Sequence, residues 1–228
     1  MSRRQKDRRA AQRQAGNRNQ ERMMVRPKSL NQQNYIISMV ENDITFCTGP
    51  AGSGKSSVAV GLACNWLQEN KVSRIIITRP TIEAGRGLGH LPGDKDEKLL
   101  PYVMPVLEEM NKYLGREMVR KLKEAEIIEI CPLEYMRGRN FHNCFMILDE
   151  AQNATYEQIK MFMTRIGIGS RAIINGDADQ TDLPERFRGG MIDIMHKLDG
   201  LQGVGVCELD ASDIVRNPII GRILERLK

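Results

Sequence analysis

The stretch Gly49-Pro50-Ala51-Gly52-Ser53-Gly54-Lys55-Ser56 constrains this chain more than any other. It follows an apolar run, Ile44-Thr45-Phe46-Cys47-Thr48, and leads into a helix-like pattern, Val58-Ala59-Val60-Gly61-Leu62-Ala63. A G-x-x-x-x-G-K-[ST] segment set between a strand and a helix is a phosphate-binding loop, and it implies an α/β fold. Glycines let the backbone curl until its N–H groups converge on phosphate oxygens. The helix N-terminus adds partial positive charge, and Lys55 adds a full one. Ser56 offers a hydroxyl to Mg²⁺, and Ser57 completes the candidate nucleotide-contacting set.

A second motif lies about 90 residues on, in Cys144-Phe145-Met146-Ile147-Leu148-Asp149-Glu150-Ala151-Gln152. An apolar strand ending in Asp-Glu is the Walker B pattern. Asp149 is placed to hold Mg²⁺ with Ser56, and Glu150 to take a proton from the attacking water. Glu directly after the Asp points to the P-loop ATPases that carry an extra strand between the P-loop and Walker B strands.

Other strands read from continuous β-branched runs, as expected of a parallel sheet covered on both faces. They are Arg74 to Thr78, Ile127 to Ile130, Arg171 to Asp177 and a run near 203–209. Helices are expected at about 55–69, in two stretches over 95–124, at 155–166, near 189–198 and from Asn217 to Lys228. In 95–124 the positions Leu99, Leu100, Val103, Val106, Leu107, Met110 and Leu114 form a stripe best read as core. A turn and short helix over 27–42 precede the first strand. There Gln32 is either a surface amide or an adenine reader, since one carboxamide both donates and accepts. Tyr35 is either core or a ring that stacks on adenine. After the strand at 171–177, Gln180 is the residue best suited to sense a γ-phosphate, because an amide bonds a phosphate-bound water without changing net charge. Arg216 is the candidate arginine finger, supplied to a neighbouring subunit.

Charge divides the chain. Residues 1–28 hold ten Lys/Arg against Asp7 and Glu21, while the other 200 residues hold 24 basic and 27 acidic groups. Residues 1–26 are too polar to offset their ordering entropy, so a mobile basic tail is expected ahead of a domain over 27–228. Such an arm binds RNA or DNA phosphates or simply keeps the chain soluble. Five cysteines without C-x-x-C spacing and three scattered histidines point away from a disulfide framework, a zinc site or a histidine-held catalytic metal. With no apolar run of bilayer length and no signal peptide, a cytoplasmic protein without a membrane partner is expected.

Taken together, these stretches resemble the PhoH family of P-loop ATPases over about 27–228. The resemblance is carried by Asn31-Gln32 with Tyr35, the loop 49–56, Arg79-Pro80, Gly89 with Leu91-Pro92-Gly93, Tyr135-Met136-Arg137-Gly138-Arg139, Leu148 to Asn153, Gly176-Asp177 with Gln180 and Asp182-Leu183-Pro184, and Asp213 to Pro218. The family is similar to the first RecA-like domain of superfamily 1 helicases. That likeness implies a mostly parallel sheet flanked by helices. It further implies that Gln32 reads adenine, that Asp149 and Glu150 serve Mg²⁺ and water, that Gln180 senses γ-phosphate, and that Arg216 acts in trans within a ring-like homo-oligomer, a hexamer being one candidate size. Ser53 and Ser56 stand where many members have Thr, and both keep the hydroxyl. The reading is Mg²⁺-dependent ATP hydrolysis by a ring acting on RNA. An ATP-switched nucleic-acid-binding scaffold is the alternative, and a small-molecule kinase is disfavoured by Glu150 and the Gly176-Asp177-Gln180 group.

Overall fold

The computed structural model describes residues 23–80, 95–178, 180–214 and 226, with backbone alone over 95–102. Strand β1 (Ile44–Thr48) follows helix α1 (Leu30–Glu41), and helix α2 (Lys55–Gln68) follows the loop. Then come β2 (Arg74–Thr78), α3 (Lys95–Leu114), α4 (Arg116–Glu124), β3 (Ile128–Ile130) and β4 (Cys144–Leu148). The chain continues through α5 (Tyr156–Met163), β5 (Arg171–Gly176), α6 (Gly190–Leu198) and β6 (Val204–Glu208). The six strands form one parallel sheet in the order β3-β2-β4-β5-β1-β6.

Alternation along the buried strands explains the continuous apolar runs. Ile75, Ile77, Phe145, Ile147 and Ile173 point into a core shared with α1, α2, α3 and α4. Ile76, Cys144, Met146, Leu148, Ala172 and Ile174 point into a second core under α5 and α6. With both faces covered, no position on the inner strands needs a polar side chain for water. The expected stripe on α3 is buried at Val103, Val106, Leu107, Met110 and Leu114.

β5 lies between β1 and β4, pairing with both. This is the extra strand expected between the P-loop and Walker B strands. The architecture is that of a RecA-like P-loop NTPase, with loops at the strand C-termini gathered where open α/β sheets place ligands.

Two expectations shift. The Asn65 side chain on α2 accepts from the Val25 N–H at 2.8 Å and donates to the Met23 carbonyl at 2.9 Å, so packed chain begins ahead of residue 27. Tyr35 takes the core alternative. It is fully buried, and Gln32, Tyr35 and Met39, spaced i, i+3, i+7, form the buried face of α1. No face of its ring is open to a base, which corrects its place among the adenine-contacting residues. Among the described residues no helix is long and apolar enough to cross a membrane.

Candidate active site

The loop from Gly49 to Gly54 connects β1 to the first turn of α2. Its geometry excludes side chains at two points. Gly49 has φ 147°, and an added Cβ would stand 2.2 Å from the Leu209 carbonyl oxygen, backbone that does not yield. Gly54 has φ 97° and faces the Gln32 amide, 2.6 Å from where its Cβ would be. The loop also holds itself. Ser53 is buried and donates from Oγ to the Pro50 carbonyl at 2.8 Å. The Lys55 ammonium donates to the Gly49 carbonyl and, at 3.0 Å, to that of Pro50. Gln32 secures the loop from outside: Nε2 donates to the Ser53 carbonyl at 2.8 Å, and Oε1 accepts from the Lys28 N–H at 2.9 Å. A carboxamide can make four hydrogen bonds, so one N–H and one lone pair remain for a ligand edge.

The Walker B side meets the loop directly. Ser56 Oγ donates to Asp149 Oδ1 at 2.6 Å across 93 residues of sequence. Two oxygen donors of this kind fit a hard divalent cation such as Mg²⁺. Burial pushes the Asp149 carboxyl above the usual range, and the Arg79 guanidinium and the Ser56 hydrogen bond act against that rise. Next to it Glu150 sits in left-handed backbone, φ 56°, a conformation that costs a non-glycine residue about 1–3 kcal/mol. Its side chain is held at both oxygens. Arg79 Nη2 donates to Oε1 at 2.5 Å, and Gln152 Nε2 donates to Oε2 at 2.6 Å. Arg79 also lies 3.6 Å from Asp149 Oδ2, so one guanidinium addresses both carboxylates.

Gln152 carries the network on to β5, accepting at Oε1 from the Asp177 N–H at 3.0 Å. Thr181 Oγ1 donates to the Gln152 carbonyl at 2.9 Å, and the Asp182 N–H donates to Asn153 Oδ1 at 2.9 Å. The segment after β5 is thus fastened to the segment after β4.

A cavity of about 370 Å³ occupies the space these elements enclose, bordered by Lys55, Ser56, Asp149, Glu150, Asn175 and Gln180. A second, of about 820 Å³, is bordered by Gln32, Val25, Lys28 and Tyr113; Gly52, Gly54, Ser57 and Glu109 line both. Ser57 Oγ donates to Glu109 Oε1 at 2.6 Å at that junction. Ala51 and Gly52 are exposed at the loop tip, and Pro50 is half-buried. The structure brings Ala51, Gly52, Gly54 to Ser57, the Walker B pair and Gln180 around one cavity, which Gly49, Pro50 and Ser53 do not line; Gln32 borders the second. Arg216 lies outside the described residues, as do the Gly89 and Leu91-Pro92-Gly93 matches.

Sequence reading missed Arg79, Gln152 and Asn175 as members of the site. Gln152 follows the Walker B acids and reaches Glu150 locally, whereas Arg79 closes its own strand run and meets Glu150 only because β2 lies beside β4. Asn175 is a polar residue at a buried strand position, and that was the available signal.

Fold and site together define a RecA-like P-loop nucleoside-triphosphatase domain. The family model described as PhoH-like protein matches residues 24–228. The chain therefore belongs to the PhoH-like family of P-loop ATPases. A PhoH-like protein of Bacillus subtilis is 45% identical over 201 residues, covering 88% of this chain and 63% of the relative. Protein PhoH of Escherichia coli K12 is 40% identical over 195 residues, covering 85% of this chain and 55% of the relative. The chain spans about six-tenths of the length of curated relatives that it matches. In structure it is similar to the large terminase from a thermophilic bacteriophage, with TM-score 0.55 and 12% identity over 89% of this chain and 51% of that one. This likeness shows the fold.

Proposed function

We propose that the domain binds ATP with Mg²⁺ and hydrolyses it, and that it works as a homo-oligomeric ring on RNA. The observation that carries the reading is the Ser56 hydroxyl on the Asp149 carboxylate at the mouth of the phosphate-binding loop. Those two residues would hold Mg²⁺, whose charge offsets that of the β- and γ-phosphates when it is bound.

The chain's own groups supply the rest. Lys55 leaves the Gly49 and Pro50 carbonyls for phosphate oxygens, a charge-assisted exchange. The loop N–H groups and the first turn of α2 add to that cradle. Glu150 takes the proton of the attacking water. As the new O–P bond forms, the bond to the bridging oxygen breaks, and ADP leaves with that electron pair. Each Glu150 oxygen accepts one hydrogen bond, from Arg79 or from Gln152, and keeps a further lone pair, so the two residues orient the base while it accepts from water. Gln180, which borders the same cavity, contacts the γ-phosphate region and reports its loss. The base lies toward the larger cavity, where the remaining donor and acceptor of Gln32 match the N6/N7 edge of adenine. The basic segment 1–28 supports a nucleic-acid phosphate backbone as partner, and Arg216 is the finger a neighbour would receive in the ring.

The test is ATP turnover by wild type and Glu150→Gln, each with and without single-stranded RNA, beside solution mass with an ATP analogue. Wild type should turn over, RNA should stimulate it, and mass should rise to a multiple of the monomer. Glu150→Gln should lose roughly 10²–10⁴-fold in kcat while still binding ATP. Equal rates would remove Glu150 as base. A monomer with analogue bound would remove the ring.

A further inference from the structure

Glu109 of α3 stands where the two cavities meet. Among the described residues it is the one carboxylate that borders both. Its side chain is 15% exposed. Oε1 accepts from the Ser57 hydroxyl at 2.6 Å, and Oε2 pairs with the Lys112 ammonium three residues on. Helix packing builds this placement. Glu109 and Tyr113 lie one turn apart on α3, against Ser57 and Gly61, one turn apart on α2. Gly61 lets the helices close, since a Cβ there would stand 2.6 Å from the Tyr113 hydroxyl oxygen. Val106 and Met110 flank Glu109 in the core and fix the turn of α3.

Charge alone argues against a carboxylate here. The loop beside it is arranged for phosphate oxygens, which a second anion repels. Lys112 offsets that charge. The acceptor capacity is the useful part: a carboxylate offers about four lone-pair sites, and described residues take two. The nucleotide-binding reading puts phosphate in the smaller cavity and base in the larger. A nucleotide spanning both lays its ribose at their junction, because ribose is what joins base to phosphate. Ribose brings two neighbouring hydroxyls, each an uncharged donor, and a carboxylate accepts from such groups in short, charge-assisted bonds.

We propose that Glu109 accepts from the ribose hydroxyls of the bound nucleotide and thereby selects ribonucleotides over deoxyribonucleotides. This rests on the nucleotide-binding reading. Ser57 is the positioning residue, since its hydroxyl holds one oxygen of the carboxylate at the junction. A sugar without hydroxyls would cover the carboxylate and give it no partner, and a site built to bond a hydroxyl discriminates strongly against the ligand lacking it. Sugar recognition then comes from a helix outside both phosphate-binding motifs.

The test measures equilibrium affinity for ADP, 2′-deoxy-ADP and 2′,3′-dideoxy-ADP, diphosphates that leave no terminal phosphoryl group to turn over. It uses wild type, Glu109→Ala and Glu109→Gln, with a thermal melt of each. Wild type should bind ADP roughly ten- to hundredfold more tightly than the dideoxy form, with the 2′-deoxy form between them. Glu109→Ala should erase that preference. Glu109→Gln keeps an acceptor without the charge and should retain part of it. A carboxylate that merely ties α3 to α2 would instead lower the melting temperature and weaken all three ligands alike. A wild type that binds ADP and the dideoxy form equally overturns the inference without any variant. So does a Glu109→Ala protein that keeps the wild-type preference, or one that weakens all three ligands by the same factor. A wild type that binds none of the three overturns the nucleotide-binding reading, and this inference with it.

Discussion

The two halves of the site are built by different means. On the P-loop side most contacts are local: Lys55 returns to Gly49 and Pro50, and Ser53 to Pro50, within six residues of sequence, with Gln32 bracing Ser53 from outside. On the Walker B side they are long. Arg79 reaches Glu150 across 71 residues and Gln152 reaches Asp177 across 25, each bridging neighbouring strands of the sheet. The carboxylates reflect this. The Asp149 side chain is 5% exposed and leans on Ser56, while that of Glu150 is 41% exposed and capped at both oxygens. A loop that closes on itself can bind phosphate as one preformed unit. A base held from two neighbouring elements can respond to what those elements do.

The sharpest way to break this comparison is Lys55→Ala. Its contacts lie within its own loop, so the fold should melt within a few degrees of wild type. Affinity for ATP should nevertheless fall by about 10²-fold or more, because the one full positive charge of the loop is gone. Titration with a fluorescent ATP analogue measures it. Retained affinity would mean that phosphate is not bound here.

The same division explains what was legible in the sequence. Gly49 to Ser56 could be read at once because its geometry is local and its residue types admit few alternatives. The interleaved β5 was also readable, since Glu150 after Asp149 pointed to it, and the apolar runs at 74–78, 144–148 and 171–176 gave the inner strands. Tyr35 was decidable and left open: Gln32, Tyr35 and Met39 at helical spacing were the buried face. Arg79 and Asn175 were different. Nothing near Arg79 in sequence says that it meets Glu150, and an Asn near a strand end reads equally well as a turn. Their roles arise from strand order, which no local pattern states.

Arg79→Ala sharpens the Walker B half. Burial raises the Asp149 carboxyl, and the nearby guanidinium lowers it. Removing Arg79 leaves burial less opposed, so the carboxyl rises further and a higher pH is needed to ionise it. Asp149 must be ionised to hold a cation. The acid limb of the kcat/KM profile for ATP should therefore move to higher pH, so that the loss is larger on the acid side of the profile than on the alkaline side. An unmoved limb would separate Arg79 from Asp149.

Asp149→Asn gives the smallest effect and the least intuitive sign. A carboxyl whose folded pKa is raised binds its proton more tightly in the folded state than in the unfolded one. Stability is then greatest at low pH and falls as pH rises from the unfolded value through the folded one. Above that window the whole penalty stays, so the ionised Asp149 weakens the fold. Asparagine carries no charge to desolvate and keeps an acceptor for the Ser56 hydroxyl. Asp149→Asn should melt roughly 1–3 °C higher than wild type at pH 7, a gap that closes as the pH is lowered, while Mg²⁺ no longer strengthens nucleotide binding. Paired melts at pH 7 and pH 4 measure the gap, and a variant melting lower at pH 7 would mean that Arg79 and Ser56 outweigh burial. A higher melting point joined to lost Mg²⁺ response would place the conflict between stability and chemistry on the Walker B side. The P-loop holds no buried carboxylate and has no such conflict to resolve.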